Sequence, residues 1–151
     1  MATRGYIGKV QDNGKIIAVY THWDSYPSNN GRLILDHYAN QASIDEIISL
    51  GSLSSLGERL NPVGPHSFDK PEDGTTVFYG RDRNENPENI KPVEFDSEED
   101  YIKNGEEFNY LWKDGKIFVG TYHEPENGKW KSGVMQELTH DLIKEFEADG
   151  W

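Results

Sequence analysis

Between Thr21 and Pro27 the chain reads Thr-His-Trp-Asp-Ser-Tyr-Pro, which crowds an imidazole, an indole, a carboxylate and a phenol into one short stretch. His22 and Asp24 are two residues apart, so on a strand both side chains leave the same face. A histidine beside a carboxylate can serve as a general base, and it can ligate a metal. Ser25 adds a hydroxyl, but the GxSxG elbow that exposes a nucleophilic serine is absent. The other histidines, His37, His66, His123 and His140, lack HExxH-type ligand spacing, and the chain has no cysteine. The expectation is therefore no metal site, and no GxGxxG or phosphate loop points to a cofactor. Trp23 and Tyr26 suit stacking. Beside Arg4, Arg81 or Arg83, such rings could sandwich a nucleobase while a guanidinium takes its phosphate bidentately. The competing structural readings are that Trp23 plugs the core where strand becomes helix, with Asp24 capping the turn and Pro27 fixing it, and that Arg81-Asp82-Arg83 is a surface ion-pair cluster.

These groups need a scaffold. Tyr6–Val10 and Ile16–His22 alternate and are rich in β-branched and aromatic residues, with the hairpin signal Asp12-Asn13-Gly14 between them. Asn29–Tyr38 reads as a helix with Leu33, Ile34, His37 and Tyr38 on one side. A second helix follows, with Ser43 and Glu46 as a capping box, Ile44, Ile47 and Ile48 as its stripe, and Gly51 as its stop. Residues 52–74 are rich in Gly, Pro, Ser and Asp and read as irregular; Thr75–Tyr79 reads as a strand and 82–96 as loop. Ser97 opens a short acidic helix that Gly105 ends. Phe108–Trp112 and Lys116–Tyr122 flank a second hairpin turn, Lys113-Asp114-Gly115, and Val134–Ala148 reads as a last helix. Together these elements predict one α+β domain over residues 1–151: a mainly antiparallel sheet of about five strands with helices packed on one face.

Alternation within the strands carries a further expectation. Tyr20 and His22 share a face opposite Val19 and Thr21; Arg4 goes with Tyr6, Tyr79 with Arg81, and Tyr110 with Trp112. If those faces coincide, the sheet bears a polar-aromatic platform; otherwise the tyrosines simply sit half-buried at the edge of a core. On the platform reading the ligand-binding residues are Arg4, Tyr6, Tyr20, His22, Trp23 and Asp24, joined by Tyr26, Arg81, Arg83 and Tyr110. A phosphate would meet Arg4, His22 and the start of the Asn29–Tyr38 helix, with a base on Trp23 or Tyr26.

Composition limits the partners. The chain carries 27 acidic residues against 15 Lys and Arg, a net charge of −12, which argues against a DNA-binding module. The acids concentrate between 81 and 107, as a solvated face or a surface for a protein partner. Only 34% of residues are hydrophobic, but four Trp, eight Tyr and six Phe supply enough contact area to argue against disorder. Stacked Tyr and Trp faces would otherwise be wet, so a homo-oligomer is expected. No apolar run reaches membrane-spanning length, and the absence of cysteine fits a reducing cytoplasm.

Thr3-Arg4, Tyr20, THWDSYP, Gly31 to Leu35, GSLSSLGER at 51–59, HSFD at 66–69 and GEEFNYLW at 105–112 together resemble a set of small tailed-phage and prophage proteins that share an HWDGYP segment. The likeness covers residues 1–122; residues 123–151 look like an extension with a helix. Ser25 stands where that set has glycine, so a backbone conformation that needs glycine is in question there. The chain is also similar to the anti-CBASS sponge proteins, which bind cyclic dinucleotide immune signals without cleaving them. That likeness implies a non-enzymatic phage counter-defence protein, acting as an oligomer in the cytoplasm of the infected bacterium and needing no cofactor. Two other readings compete: an enzyme acting on nucleotides or nucleic acid through His22 and Asp24, and an acidic inhibitor of a host defence factor working through residues 82–107.

Overall fold

The structure is a computed structural model and describes residues 2–151. In chain order, strands β1 (Gly5–Val10) and β2 (Ile16–Thr21) are followed by two π-helical turns, Pro27–Gly31 and Ile34–Tyr38, and by α1 (Gln41–Leu50). Then come β3 (Leu53–Ser55), β4 (Val77–Phe78), α2 (Tyr79–Arg83), α3 (Pro87–Ile90), β5 (Val93–Phe95) and α4 (Glu98–Asn104). The chain continues with β6 (Phe108–Lys113), β7 (Lys116–Thr121), β8 (Gln136–Glu137) and α5 (His140–Glu147).

The α+β class holds, but the sheet is larger than expected and mixed. Its 8 strands run β4-β3-β2-β1-β6-β7-β8, with β5 also pairing with β2. Both expected hairpins form, β1 with β2 and β6 with β7. They are joined side by side through a parallel pairing of β1 with β6, and β2 pairs parallel with β3. A parallel neighbour is reached only by a long crossover, so local turn signals do not announce it. The second edge of β2 is shared: β5 takes Ile16 to Ala18 and β3 takes Thr21.

Helices cover both faces of the sheet, not one. Ile7, Val19, Tyr110 and Val119 pack with Ile34, with Ile44 and Ile47 of α1, and with Ile143 and Phe146 of α5. Across the sheet, Ala18 and Leu111 pack with Phe95 of β5 and Tyr101 of α4. The strands β1, β2, β6 and β7 therefore feed two cores, as alternation requires.

Several local expectations shift. The chain expected to be helical over 29–38 is wound into wider turns and begins at Pro27. Asn40, not Ser43, caps α1 by accepting from Ser43 N at 2.8 Å. The last helix is shorter than its apolar pattern, because Gln136–Glu137 joins the sheet and Thr139 caps α5 by accepting from Leu142 N. Residues 123–151 share the main core, burying Trp130, Leu138, Ile143 and Phe146 there. Trp130 stacks on Phe146 at 4.7 Å and donates its indole N–H to Asp149 at 2.8 Å.

Between β2 and the first π-helical turn, the backbone is tied down at almost every residue. His22 N donates to Leu53 O at 3.2 Å, Trp23 N to Ser54 O at 3.0 Å, and Ser25 N to Thr3 O at 2.9 Å. The left-handed residue is Asp24, with φ 56°, and not Ser25, so no glycine is required at 25. Ser25 is instead buried, its hydroxyl taking the Asn30 amide at 3.1 Å and its carbonyl taking the Tyr110 hydroxyl at 2.6 Å. Removing that hydroxyl leaves a buried carbonyl short of a donor, so Tyr110→Phe should lower the unfolding free energy by about 1–2 kcal/mol. Urea denaturation checks this; a midpoint indistinguishable from that of the unaltered protein would show that the bond contributes nothing.

Candidate functional site

The β1–β2 register sets Tyr6 opposite Tyr20, and their rings meet edge-on at 6.1 Å. Two residues on, His22 leaves the same face, and its Nδ1 lies 2.7 Å from the Tyr20 hydroxyl. If Tyr20 donates to Nδ1, a neutral His22 carries its own proton on Nε2. The His22 ring stands edge-on to Trp23 at 4.6 Å, and Trp23 is 43% exposed. Trp23 therefore does not plug the core. Arg4, exposed just before β1, lies close enough to Tyr20 and Glu106 to act on the ionisation of both.

The opposite wall comes from residues 79–93. Strand β4 stops at Phe78 because the Asp82 carboxylate accepts Phe78 N at 2.8 Å and turns the chain into α2. Arg81 is spent on that turn: it donates to Leu60 O at 2.8 Å and Thr76 O at 2.9 Å and pairs with Asp82 at 2.9 Å. Asn84 ends α2 in the left-handed region, at φ 57°, and the chain folds back so that Glu85 N donates to Tyr79 O. Arg83 is thereby laid over the ring of Tyr79 at 4.5 Å and that of Phe68 at 4.9 Å.

Tyr6, Tyr20, Tyr79 and Arg83 converge on one cleft of about 400 Å³, closed by Ser52, Glu85, Asn89, Ile90, Lys91 and Val93. That volume lies near the lower end of the roughly 300–1,000 Å³ usual for small-molecule sites. A larger hollow of about 540 Å³ lies at the tip of the β1–β2 hairpin, but no ring lines it and its Lys9 is paired with Asp45 at 2.5 Å. The aromatic cleft is the better candidate.

Its charges are arranged in pairs. Arg83 meets Glu85 at 2.8 Å, and Lys91 meets Glu88 at 3.1 Å. The Glu85 carboxyl is held below its usual range first by the Asn89 side chain, then by Arg83 and Asn86 N. Burial raises the phenols of Tyr6 and Tyr20, so both remain hydroxyl donors at neutral pH. Beside them burial raises Glu106, with Glu107 adding to the shift and Arg4 and His22 opposing it.

Of the residues singled out in the sequence, Tyr6, Tyr20 and Arg83 line the cleft, and His22, Trp23 and Arg4 extend from it. The other four stand elsewhere. Tyr110 pairs in register with Ile7, which sends it to the opposite face and into the core. Tyr26 packs against that same core. Arg81 serves the β4–α2 turn, as above. Asp24 shapes its loop through its backbone, its carbonyl accepting the Asn29 amide at 3.1 Å, and among the described residues the histidines in ion pairs are His66, His123 and His140, not His22. The first helical turn offers no free anion site: Ser28 N donates to Trp151 O, Asn29 N to Tyr26 O and Asn30 N to Asp24 O. Residues missed from the sequence come mostly from 85–93, read there as loop. The available signal was Asn86-Pro87, because Asn86 caps α3 by accepting Glu88 N at 3.0 Å and proline suits the first helical position.

Among the described residues, no group of three or more His, Asp or Glu is placed to hold a metal ion, and no helix is long and apolar enough to cross a membrane. Comparison with family models, curated proteins and solved structures finds no match to this chain.

The raised Glu106 carboxyl gives a pH test. The fold favours its neutral form, so stability is fully present at pH below the ordinary carboxyl range and is lost as pH rises through the raised value. Glu106→Gln should therefore melt higher than the unaltered protein near pH 7, with the difference vanishing near pH 3.5. Thermal melts at both pH values check this. An equal or lower melting temperature near neutrality would mean that Arg4 and His22 outweigh burial.

Proposed function

We propose that this protein binds a cyclic dinucleotide signal and sequesters it uncleaved, as a phage counter-defence protein in the cytoplasm of an infected bacterium. The observation that carries the reading is the convergence of Tyr6, Tyr20 and Tyr79 with Arg83 in one cleft, drawn from three separate parts of the chain. Aromatic rings stack on any base, contributing roughly 1–3 kcal/mol each, and a guanidinium takes phosphate. The cleft holds one base and its phosphate; the second nucleotide runs out over His22 and Trp23 toward Arg4. Sequestration needs no general base, in keeping with a His22 that already shares its Nδ1 with Tyr20. The motif resemblance to phage proteins and anti-CBASS sponges points the same way. The reading extends to self-association, since Trp23 and Tyr122 are 43% and 51% exposed and a second copy would cover such rings.

The test is to titrate cyclic di-AMP, cyclic di-GMP and cyclic GMP-AMP by calorimetry, then heat the complexes and recover the ligand. One of them should bind and return intact. Tyr79→Ala and Arg83→Ala should each weaken binding by roughly tenfold, the scale of one lost stacking or charge-assisted contact, with melting temperatures held. A hydrolysed ligand, or no binding by any of the three, overturns the proposal.

A further inference from the structure

Arg83 is held in the cleft at one face and at one edge of its guanidinium. One side of its guanidinium lies over Tyr79 and Phe68, at 4.5 and 4.9 Å, and its Nη2 edge is taken by Glu85 Oε2 at 2.8 Å. Glu85 lines the same cleft and does not depend on Arg83 for its position. Its other oxygen, Oε1, accepts from Asn89 Nδ2 at 3.1 Å and from Asn86 N at 3.2 Å, both carried by the turn into α3. The left-handed Asn84 and the Glu85 N to Tyr79 O bond fix the backbone that delivers it.

From this geometry, and resting on the nucleotide reading above, we infer that Glu85 is a built-in competitor that occupies the anion-binding edge of Arg83 and filters which ligands the cleft accepts. A phosphate that docks on the Nη2 edge of Arg83 must displace a carboxylate that stays anchored beside it. A free phosphate ion gains one charge-assisted contact and loses another, so it has little net reason to bind. A phosphodiester joined to a base also stacks on the tyrosines, and that added contact decides the exchange. The filter thus selects base-linked phosphodiesters over the inorganic phosphate and acidic metabolites abundant in a cell. In a chain of net charge −12 the same carboxylate lowers the affinity for every anion.

Glu85→Gln keeps the shape and an oxygen for Asn86 N and Asn89 while removing the charge. The ligand used is whichever of cyclic di-AMP, cyclic di-GMP and cyclic GMP-AMP binds the unaltered protein most tightly; adenosine is the uncharged probe and inorganic phosphate the bare anion. Glu85→Gln should tighten the cyclic dinucleotide by about two- to fivefold, the size of an exposed ion pair, and leave adenosine unchanged. It should also let millimolar phosphate compete, which it should not do on the unaltered protein. Glu124→Gln, at an exposed position outside the cleft, removes the same charge and should change nothing. Binding that is unchanged or weaker in Glu85→Gln, or an equal gain in Glu124→Gln, overturns the competitor role and leaves the nucleotide reading standing. If no cyclic dinucleotide binds the unaltered protein, the nucleotide reading falls and the competitor role with it.

Discussion

One buried hydrogen bond organises this protein: the hydroxyl of Tyr110 on the Ser25 carbonyl, 2.6 Å long and sealed from water. It joins the middle of β6 to the loop that leaves β2, across the main core. A chain that leaves a sheet edge, takes a left-handed residue and coils straight into wide helical turns has many backbone groups to satisfy. Tyr110 supplies one donor and the Asn30 amide serves the Ser25 hydroxyl at 3.1 Å, while Leu53, Ser54 and Thr3 carbonyls take the loop's N–H groups. Because the loop backbone is held from beneath, its side chains are free to serve the other face.

That division of labour explains how so polar a sequence sustains both a core and a cleft. On β2, Val19 and Thr21 go down to α1 and the π-helical turns, while Tyr20 goes up to the cleft and His22 follows it just past the strand end. The upper face is only partly covered, by the side chains of Phe95 and of Tyr101 from α4 over Ala18 and Leu111, which leaves Tyr6 and Tyr20 bounded by protein on one side. The segment from Tyr79 to Val93 closes the other side. A half-covered sheet face is where a ligand can meet rings and donors that have already lost most of their water.

The parts legible in the sequence were those fixed by contacts close along the chain. Both hairpins follow from glycine in their turns, α4 follows from Ser97, which accepts Asp100 N at 3.1 Å, and the pairing of Tyr20 with His22 follows from the two-residue period. The rest depends on distant contacts. Tyr110 has the same local pattern as Tyr20, and only the parallel register with β1 shows that it faces the opposite way. Likewise Arg81 and Arg83 are equivalent by type and spacing, yet one is consumed by the carbonyls of Leu60 and Thr76 and the other lies on two rings. A residue such as Trp23, apolar and flanked by turn formers, reads as core until its loop is seen to be tied down at every neighbour.

The parallel seam between β1 and β6 also bears on how the molecule forms. The β1–β2 hairpin closes across a short turn and can assemble within microseconds. The other edge of β1 finds its partner only when Phe108 to Trp112 arrive from far along the chain. Contacts of that separation are slow to close, so for a time the hairpin presents an open ladder of donors and acceptors beside the apolar residues Ile7 and Val10. The seam that makes the native sheet continuous is, before it closes, the surface on which two unfinished chains would most readily join.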